Sequence, residues 1–312
     1  MYLRRQAHVS AHWWNAGCLA VLLTLTALPL AAADAPVTRA GAPGIPALVE
    51  LSGLAVSRRV PDRWWGHNDS GNASELFAFD RRGRAIGSVA VPAGAFDWED
   101  MASFRQDGVA YLAVADTGDN FGLRAQLAIQ IFAEPDATLP AQLAPLRTIA
   151  FQFEDGARDC EGLAADPAQQ RFLLVDKGRH PVGLYALPMA PQAGLAVARR
   201  IADLPSLYPD TPPLTAPMGA QRYRGTPTAL DLSADGLRLL VLTYTHLAEF
   251  RRRADQDWPA AIRQTPPRLL RLPRTKLLEA AGYEAGGDGA LISGETVNAP
   301  LWRWDGRVPA PR

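Results

Sequence analysis

Glu161-Gly162-Leu163-Ala164 opens a short run of small and apolar residues that stops at the turn pair Asp166-Pro167, and a second apolar run, Phe172 to Val175, follows. The same figure recurs along the chain. Ser52-Gly53-Leu54-Ala55, Glu99-Asp100-Met101-Ala102, Thr228-Ala229-Leu230-Asp231 and Glu279-Ala280-Ala281-Gly282 each begin such a run. Turns at Pro61-Asp62, Asp107-Gly108, Asp235-Gly236 and Asp288-Gly289 come next. Asp-Gly between apolar runs marks a hairpin, because the tight turn needs backbone conformations that these two residues tolerate. Second runs then appear at Trp64 to His67, Ala110 to Ala115, Leu239 to Thr243 and Ala290 to Ser293. Third runs are Leu76 to Phe79, Ala128 to Phe132, Leu184 to Leu187, Leu269 to Leu272 and Leu301 to Trp304. Fourth runs are Ala85 to Val91, Leu146 to Phe153 and Leu195 to Leu204.

Strands of this length, separated by Gly, Pro and Asp turns, predict an all-β protein. Four antiparallel strands per repeat, repeated radially, make a β-propeller blade. The repeats predict five blades, with six as the alternative. The last repeat lacks a fourth strand, and Ile45 to Leu51 is expected to supply it as an N-terminal strand that closes the ring. A β-sandwich or two separate β domains would not explain why a similar, often acidic, anchor recurs before each inner strand.

Outside the repeats, Arg4 and Arg5 precede an uncharged apolar stretch from Ala16 to Leu30, and Ala31-Ala32-Ala33 follows. This is the order of a secretory signal peptide. The apolar run is shorter than the roughly 20 residues needed to span a bilayer. The expected division is therefore a signal peptide at 1–33, a flexible segment at 34–44, one propeller domain at 45–306 and a tail at 307–312. Localisation is expected to be periplasmic or secreted, with no membrane span after cleavage. The 32 acidic and 32 basic residues balance, which gives no reason to expect nucleic acid as a partner. Cys160 is the one cysteine beyond the leader, so no internal disulfide is expected.

Antiparallel pairing puts the start of each first strand beside the end of the second. One end of the propeller channel should therefore gather the anchors Glu99, Glu161 and Glu279 with the loop residues Asp69, Asp119, Lys177, Tyr244, His246 and Glu295. Carboxylates held that close repel one another, and a hard cation with many oxygen ligands relieves this. Ca2+ is the expected cofactor, on Glu99, Asp119, Glu161, Glu279 and Glu295. Ser52 and Thr228 leave the acidic ring incomplete. Trp98, Asp69, Lys177, Tyr223, Tyr244 and His246 are the expected ligand-binding residues, and Glu99 and Asp119 the candidate catalytic bases. His67 is a weaker metal or acid–base candidate. The alternative role for the Asp and Asn residues of these loops is turn formation. The opposite channel end is expected to carry only generic turn chemistry. The segment from Pro205 to Arg224 has no strand pattern and reads as a lid or binding loop.

Glu50-Leu-Ser-Gly-Leu-Ala, His67-Asn-Asp-Ser-Gly, Asp97-Trp-Glu-Asp-Met-Ala, Ala115-Asp-Thr-Gly-Asp-Asn, Asp159-Cys-Glu-Gly-Leu and Thr226-Pro-Thr-Ala-Leu-Asp-Leu-Ser-Ala-Asp-Gly resemble a family of exported bacterial β-propeller proteins. That family is similar to phytase-like esterase propellers and to SdiA-regulated propeller proteins, some of which bind calcium. The resemblance implies the fold and, more distantly, an activity. Two functions are expected from these features. The first is an exported propeller binding a small molecule, glycan or protein at the acidic mouth. The alternative is a metal-dependent hydrolase of phosphate esters, other esters or lactones.

Overall fold

A computed structural model describes residues 37–306 apart from 93, 139–141, 178–180, 193 and 209–224. The signal-peptide expectation, Tyr223 and most of the expected lid therefore lie outside the described residues. The fold is all-β and propeller-like. It is built from four-stranded antiparallel units, each a simple meander from an inner strand outward. The first unit is β2 (Leu51–Val56), β3 (Arg63–Asn68), β4 (Glu75–Asp80) and β5 (Ala85–Ala90). The second is β6 (Trp98–Gln106), β7 (Val109–Asp116), β8 (Leu127–Ala133) and β9 (Arg147–Phe153). The third is β10 (Cys160–Asp166), β11 (Arg171–Asp176), β12 (Gly183–Pro188) and β13 (Ala196–Asp203). The outer strands β9 and β13 pair in parallel, which merges the second and third units into one eight-stranded sheet.

The fourth unit is β14 (Pro227–Leu232), β15 (Arg238–Thr243), β16 (His246–Arg251) and β17 (Arg268–Arg271). The last is β18 (Leu278–Tyr283), β19 (Ala290–Gly294), β20 (Leu301–Trp304) and, as its outer strand, β1 (Val37–Gly41). Inner strands pack in chain order, β2 on β6, β6 on β10, β10 on β14 and β14 on β18, and β18 packs on β2. These inner strands are buried almost end to end, and the apolar clusters between units draw on the faces of neighbouring sheets. Among the described residues no helix is long and apolar enough to cross a membrane.

Two strand assignments differ from the sequence reading. The strand added to the last unit is Val37–Gly41, paired Val37 to Trp304 and Thr38 to Arg303, and not Ile45 to Leu51. The segment expected to be flexible therefore includes an edge strand. Ile45 to Glu50 is apolar enough to read as a strand, but the Asn68 side chain satisfies its backbone. Asn68 Oδ1 accepts from Val49 N at 2.8 Å and Glu50 N at 3.0 Å, and Nδ2 donates to Ala47 O at 2.8 Å. The second difference is β16, which begins at His246 and was masked by its charges. Leu247, Ala248 and Phe250 are buried, and the carboxylate of Glu249 is held by Arg251 and by the Tyr283 hydroxyl at 3.2 Å. One short helix, α1 (Trp258–Gln264), fills the β16–β17 connection. It starts at the Asp257 cap and buries Trp258, Ala261 and Ile262.

Candidate functional site

Each inner strand departs from regular pairing at one place. The register shifts between Leu51 and Gly53, Trp98 and Met101, Cys160 and Gly162, Pro227 and Ala229, and Leu278 and Ala280. The anchors Ser52, Glu99, Glu161, Thr228 and Glu279 all sit at these bulges. A bulge adds a residue without a ladder partner and re-aims its side chain. The hydroxyl anchors use that freedom to join units. Ser52 Oγ donates to Glu99 O and Thr228 Oγ1 to Leu278 O, both at 2.7 Å. The glutamates instead bring carboxylates to one end of the inner strands.

Two groups of carboxylate oxygens form there. Asp69, Asp97 and Glu99 offer oxygens all within 4.8 Å of one another, and so do Glu99, Asp159 and Glu161. Glu99 belongs to both. Asp97 and Asp159 were not among the expected ligands. Their signal was visible as the repeated Asp-x-Glu of Asp97-Trp-Glu99 and Asp159-Cys-Glu161, where the middle residue is buried and the outer two share a side. The approach to β6 is held by Asp116, which accepts from Phe96 N at 3.0 Å and Asp97 N at 3.2 Å, much as Asn68 holds the approach to β2. Gly118 is required beside this group, since a Cβ there would lie 2.2 Å from both Asp97 Oδ2 and Glu99 Oε1.

The charges are unevenly compensated. Lys177 Nζ pairs with Glu161 Oε1 at 2.8 Å and stands 5.9 Å from the Tyr244 ring centroid. Burial pushes the Glu99 carboxyl well above the usual carboxylate range, and Glu161, Asp69 and Asp97 push it further while Lys177 pulls it back. Burial also pushes Asp69 up to about 6, reinforced by Asp97, Glu279 and Glu50. Glu161 is raised by burial and drawn back by Lys177. Beside these groups Glu295 is pushed up to about 10, first by burial and then by its hydrogen bond to Glu279. Burial raises the Tyr244 hydroxyl above its ordinary range, helped by the negative charge of Glu279.

Thus Asp69, Glu99, Glu161, Lys177, Tyr244, Glu279 and Glu295 are linked at one end of the inner strands through contacts or charge. Other expected site residues are placed differently. Asp119 is nearly buried, and its carboxylate is committed to its own loop, accepting from Leu123 N at 2.7 Å and Arg124 N at 3.1 Å. It stands in neither oxygen group, and its hydrogen bonds are those of a loop anchor. Trp98 is 1% exposed and packs edge-on against the His67 ring at 5.2 Å, so no face remains for a ligand. His67 is fully buried, its Nδ1 faces Asn68 O at 2.9 Å, and burial pulls its pKa down to about 4. It is a neutral core histidine. His246 is buried, with Nδ1 2.9 Å from Thr245 Oγ1 and the Tyr208 ring edge-on at 5.4 Å.

No protein-family model and no curated protein sequence matches the chain. Among solved structures, the chain is similar to a PQQ-bound aldose sugar dehydrogenase from Streptomyces coelicolor, with TM-score 0.47 and 12% identity over 87% of this chain and 98% of that one. It is also similar to a luciferin-regenerating enzyme, with TM-score 0.44 and 11% identity over 86% of this chain and 94% of the other. A gluconolactonase from Xanthomonas campestris gives TM-score 0.42 and 15% identity over 87% and 90% of the two chains.

Proposed function

We propose that the protein is an exported five-bladed β-propeller, its ring closed by β1 on β20, whose acidic mouth holds one Ca2+ on Asp69, Asp97 and Glu99. The ion's remaining coordination positions receive an oxygen-bearing group of a small molecule, a glycan or a protein. The observation that carries this reading is the imbalance at the mouth. Two carboxylate groups share Glu99, and among the described residues the cation paired within them is Lys177, bound to Glu161. Among the described residues, the Asp69–Asp97–Glu99 side has hard oxygens and no ion-paired cation, which is the donor set that suits Ca2+.

Calcium titration by calorimetry, on the wild type and on Asp97→Asn, tests the ion. The expected result is one site per chain, weakened about tenfold or more by the substitution. No heat and no shift in melting temperature over millimolar calcium would remove the cation from the mouth. Blade closure is tested separately. A chain starting at residue 45 should unfold at lower denaturant, because it lacks the partner of β20. Export is supported by the order of charge, apolar run and alanines at residues 4–33. N-terminal sequencing of the protein from a periplasmic fraction should begin near Asp34.

Hydrolysis of a phosphate ester, another ester or a lactone is the second reading. It is favoured by Glu295, a proton-holding carboxyl linked to Glu279 beside the cation position. The metal would polarise the bond and Glu99 would act on water. A panel of these substrates with and without calcium separates the two readings, since a binding protein gives saturation without turnover.

A further inference from the structure

The far ends of the inner strands, away from the acidic mouth, were expected to carry generic turns. They instead enclose a cavity of about 270 Å³. Its wall comes from the C-terminal ends of β2, β6, β10 and β14 and from the turns after them. Phe104, Ala165, Pro167, Ala168 and Leu232 make most of that wall apolar.

One cationic group stands in this cavity with donors to spare. Arg58 is half-buried and fixed along its length. Its backbone N–H donates to Glu134 Oε2 at 2.9 Å, its Nε donates to Ser103 Oγ at 3.1 Å and Ser103 O at 3.3 Å, and its carbonyl accepts from Arg105 Nη2 at 2.6 Å. Its two Nη groups have no acceptor among the described residues, and no carboxylate lies within 4.0 Å of them. The other charged side chains of the wall are held in place. Arg105, exposed to solvent, gives one N–H from each of its three nitrogens to the carbonyls of Arg58 and Gly108. Asp166 accepts from Arg171 Nε at 3.2 Å and Gln169 N at 3.3 Å. Asp235 accepts from Ser233 Oγ at 2.5 Å and Leu237 N at 3.0 Å. Asp231 offsets the Arg58 charge from beyond contact distance, with its oxygens turned to the N–H groups of Leu232 and Tyr283.

A mostly apolar pocket with one pre-positioned polar group is the usual form of a small-molecule site. The planar fork of a guanidinium matches a carboxylate at two points. We propose that this cavity binds a small organic monocarboxylate, the carboxylate on the Arg58 Nη groups and a flat apolar body against Phe104, Ala168 and Leu232. The nearby charge of Asp231 offsets part of the Arg58 charge, which suits a monoanion better than a phosphate dianion. The site is independent of the acidic mouth and stands whether or not calcium binds there.

Calorimetry on the full exported chain, with phenylacetate as probe, tests the site. Phenylacetamide serves as the neutral control and inorganic phosphate as the compact anion. Phenylacetate should bind one site, with phenylacetamide and phosphate each about tenfold weaker or more. Arg58→Gln should weaken phenylacetate by a similar factor. Ala168→Trp, at an exposed position, should block the cavity while leaving the melting temperature near that of the wild type. Equal binding to wild type and Ala168→Trp would overturn the location. Tighter binding of phosphate than of phenylacetate, or no binding up to about 10 mM of phenylacetate, would overturn the ligand class.

Discussion

The carboxylate of Asp100 on β6 accepts the backbone N–H of Leu230 on β14 at 2.9 Å, and the same oxygen accepts Leu163 N on β10 at 2.9 Å. One fully buried side chain thus joins three units. Asp231 continues the link by accepting Tyr283 N of the last unit at 2.7 Å. An N–H left buried without an acceptor costs roughly 1–3 kcal/mol. Asp100→Ala leaves the Leu163 and Leu230 N–H groups and that of Met101, which the other carboxylate oxygen accepts at 2.8 Å, without an acceptor, and should lower stability by about 3 kcal/mol or more. For a chain of this size that is a fall in melting temperature of roughly 6–12 °C. Asp100→Asn keeps one oxygen for the Leu163 and Leu230 N–H groups and should cost less. Thermal melts of the two variants check this, and an unchanged midpoint for the alanine variant would mean the cross-unit bonds do not hold the fold.

Why the anchors were legible and the closing strand was not follows from what each contributes. The repeats could be read because each inner strand is a short, fully buried run between turn signals, and burial on both faces leaves little choice of residue. Bulges leave no such signature, so the aim of Glu99, Glu161 and Glu279 was inferred only from strand ends. Val37–Gly41 is an edge strand with exposed Thr38 and Arg39, and its composition resembles a linker. Its pairing is set by β20, more than 250 residues away, which local pattern cannot show. The loop bonds of Asp119 were not legible, because an aspartate that holds its own loop and one that faces a cation have the same sequence context. The far cavity was missed because its charge arises from what Arg58 lacks in three dimensions.

Gly118 provides a direct handle on the cation position. A methyl group there would meet Asp97 Oδ2 and Glu99 Oε1 at 2.2 Å and Asp97 Cγ at 2.4 Å, so both side chains must move. In chelator, Gly118→Ala should therefore cost roughly 1–3 kcal/mol. Calcium affinity should fall about tenfold or more, since the two oxygens are pushed out of their common sphere. Calorimetry and a chelator melt on the same preparation check both halves. Unchanged calcium affinity would place the ion elsewhere.

Glu295 sets a pH dependence with a definite sign. Its folded pKa is about 10, far above that of an unfolded carboxyl. Its contribution to stability is complete below the ordinary carboxylate range and is lost progressively as pH rises from there toward 10. In chelator the wild type should lose stability between pH 5 and pH 9 through this group. Glu295→Gln cannot ionise, and its amide still donates to Glu279, so its loss over the same range should be smaller. At pH 8 the variant should be the more stable by on the order of 2 kcal/mol. Urea unfolding at pH 5 and pH 8 measures the difference, and an equal fall in both proteins would contradict a protonated Glu295.

Lys177 decides how many cations the mouth takes. Its ammonium occupies the Glu161 side of the acidic ring at 2.8 Å, within reach of the oxygens that Glu99 and Asp159 also offer. Removing one partner of a buried ion pair leaves an uncompensated charge, at a cost of roughly 3–5 kcal/mol. Lys177→Gln should lose on the order of 3 kcal/mol in chelator. The vacated position is then bounded by carboxylates of Glu99, Asp159 and Glu161, which is again a hard-oxygen set. Calcium should enter it, so calorimetric stoichiometry should rise from one ion per chain to two. A ligand that binds only the folded state stabilises by about 2.7 kcal/mol at a hundredfold excess over its dissociation constant, so saturating calcium should restore most of the lost stability. Lys177→Arg, which keeps the charge, should show neither the loss nor the second ion. If calcium raises the melting temperature of wild type and Lys177→Gln by the same amount, Lys177 is not the charge that excludes a second ion.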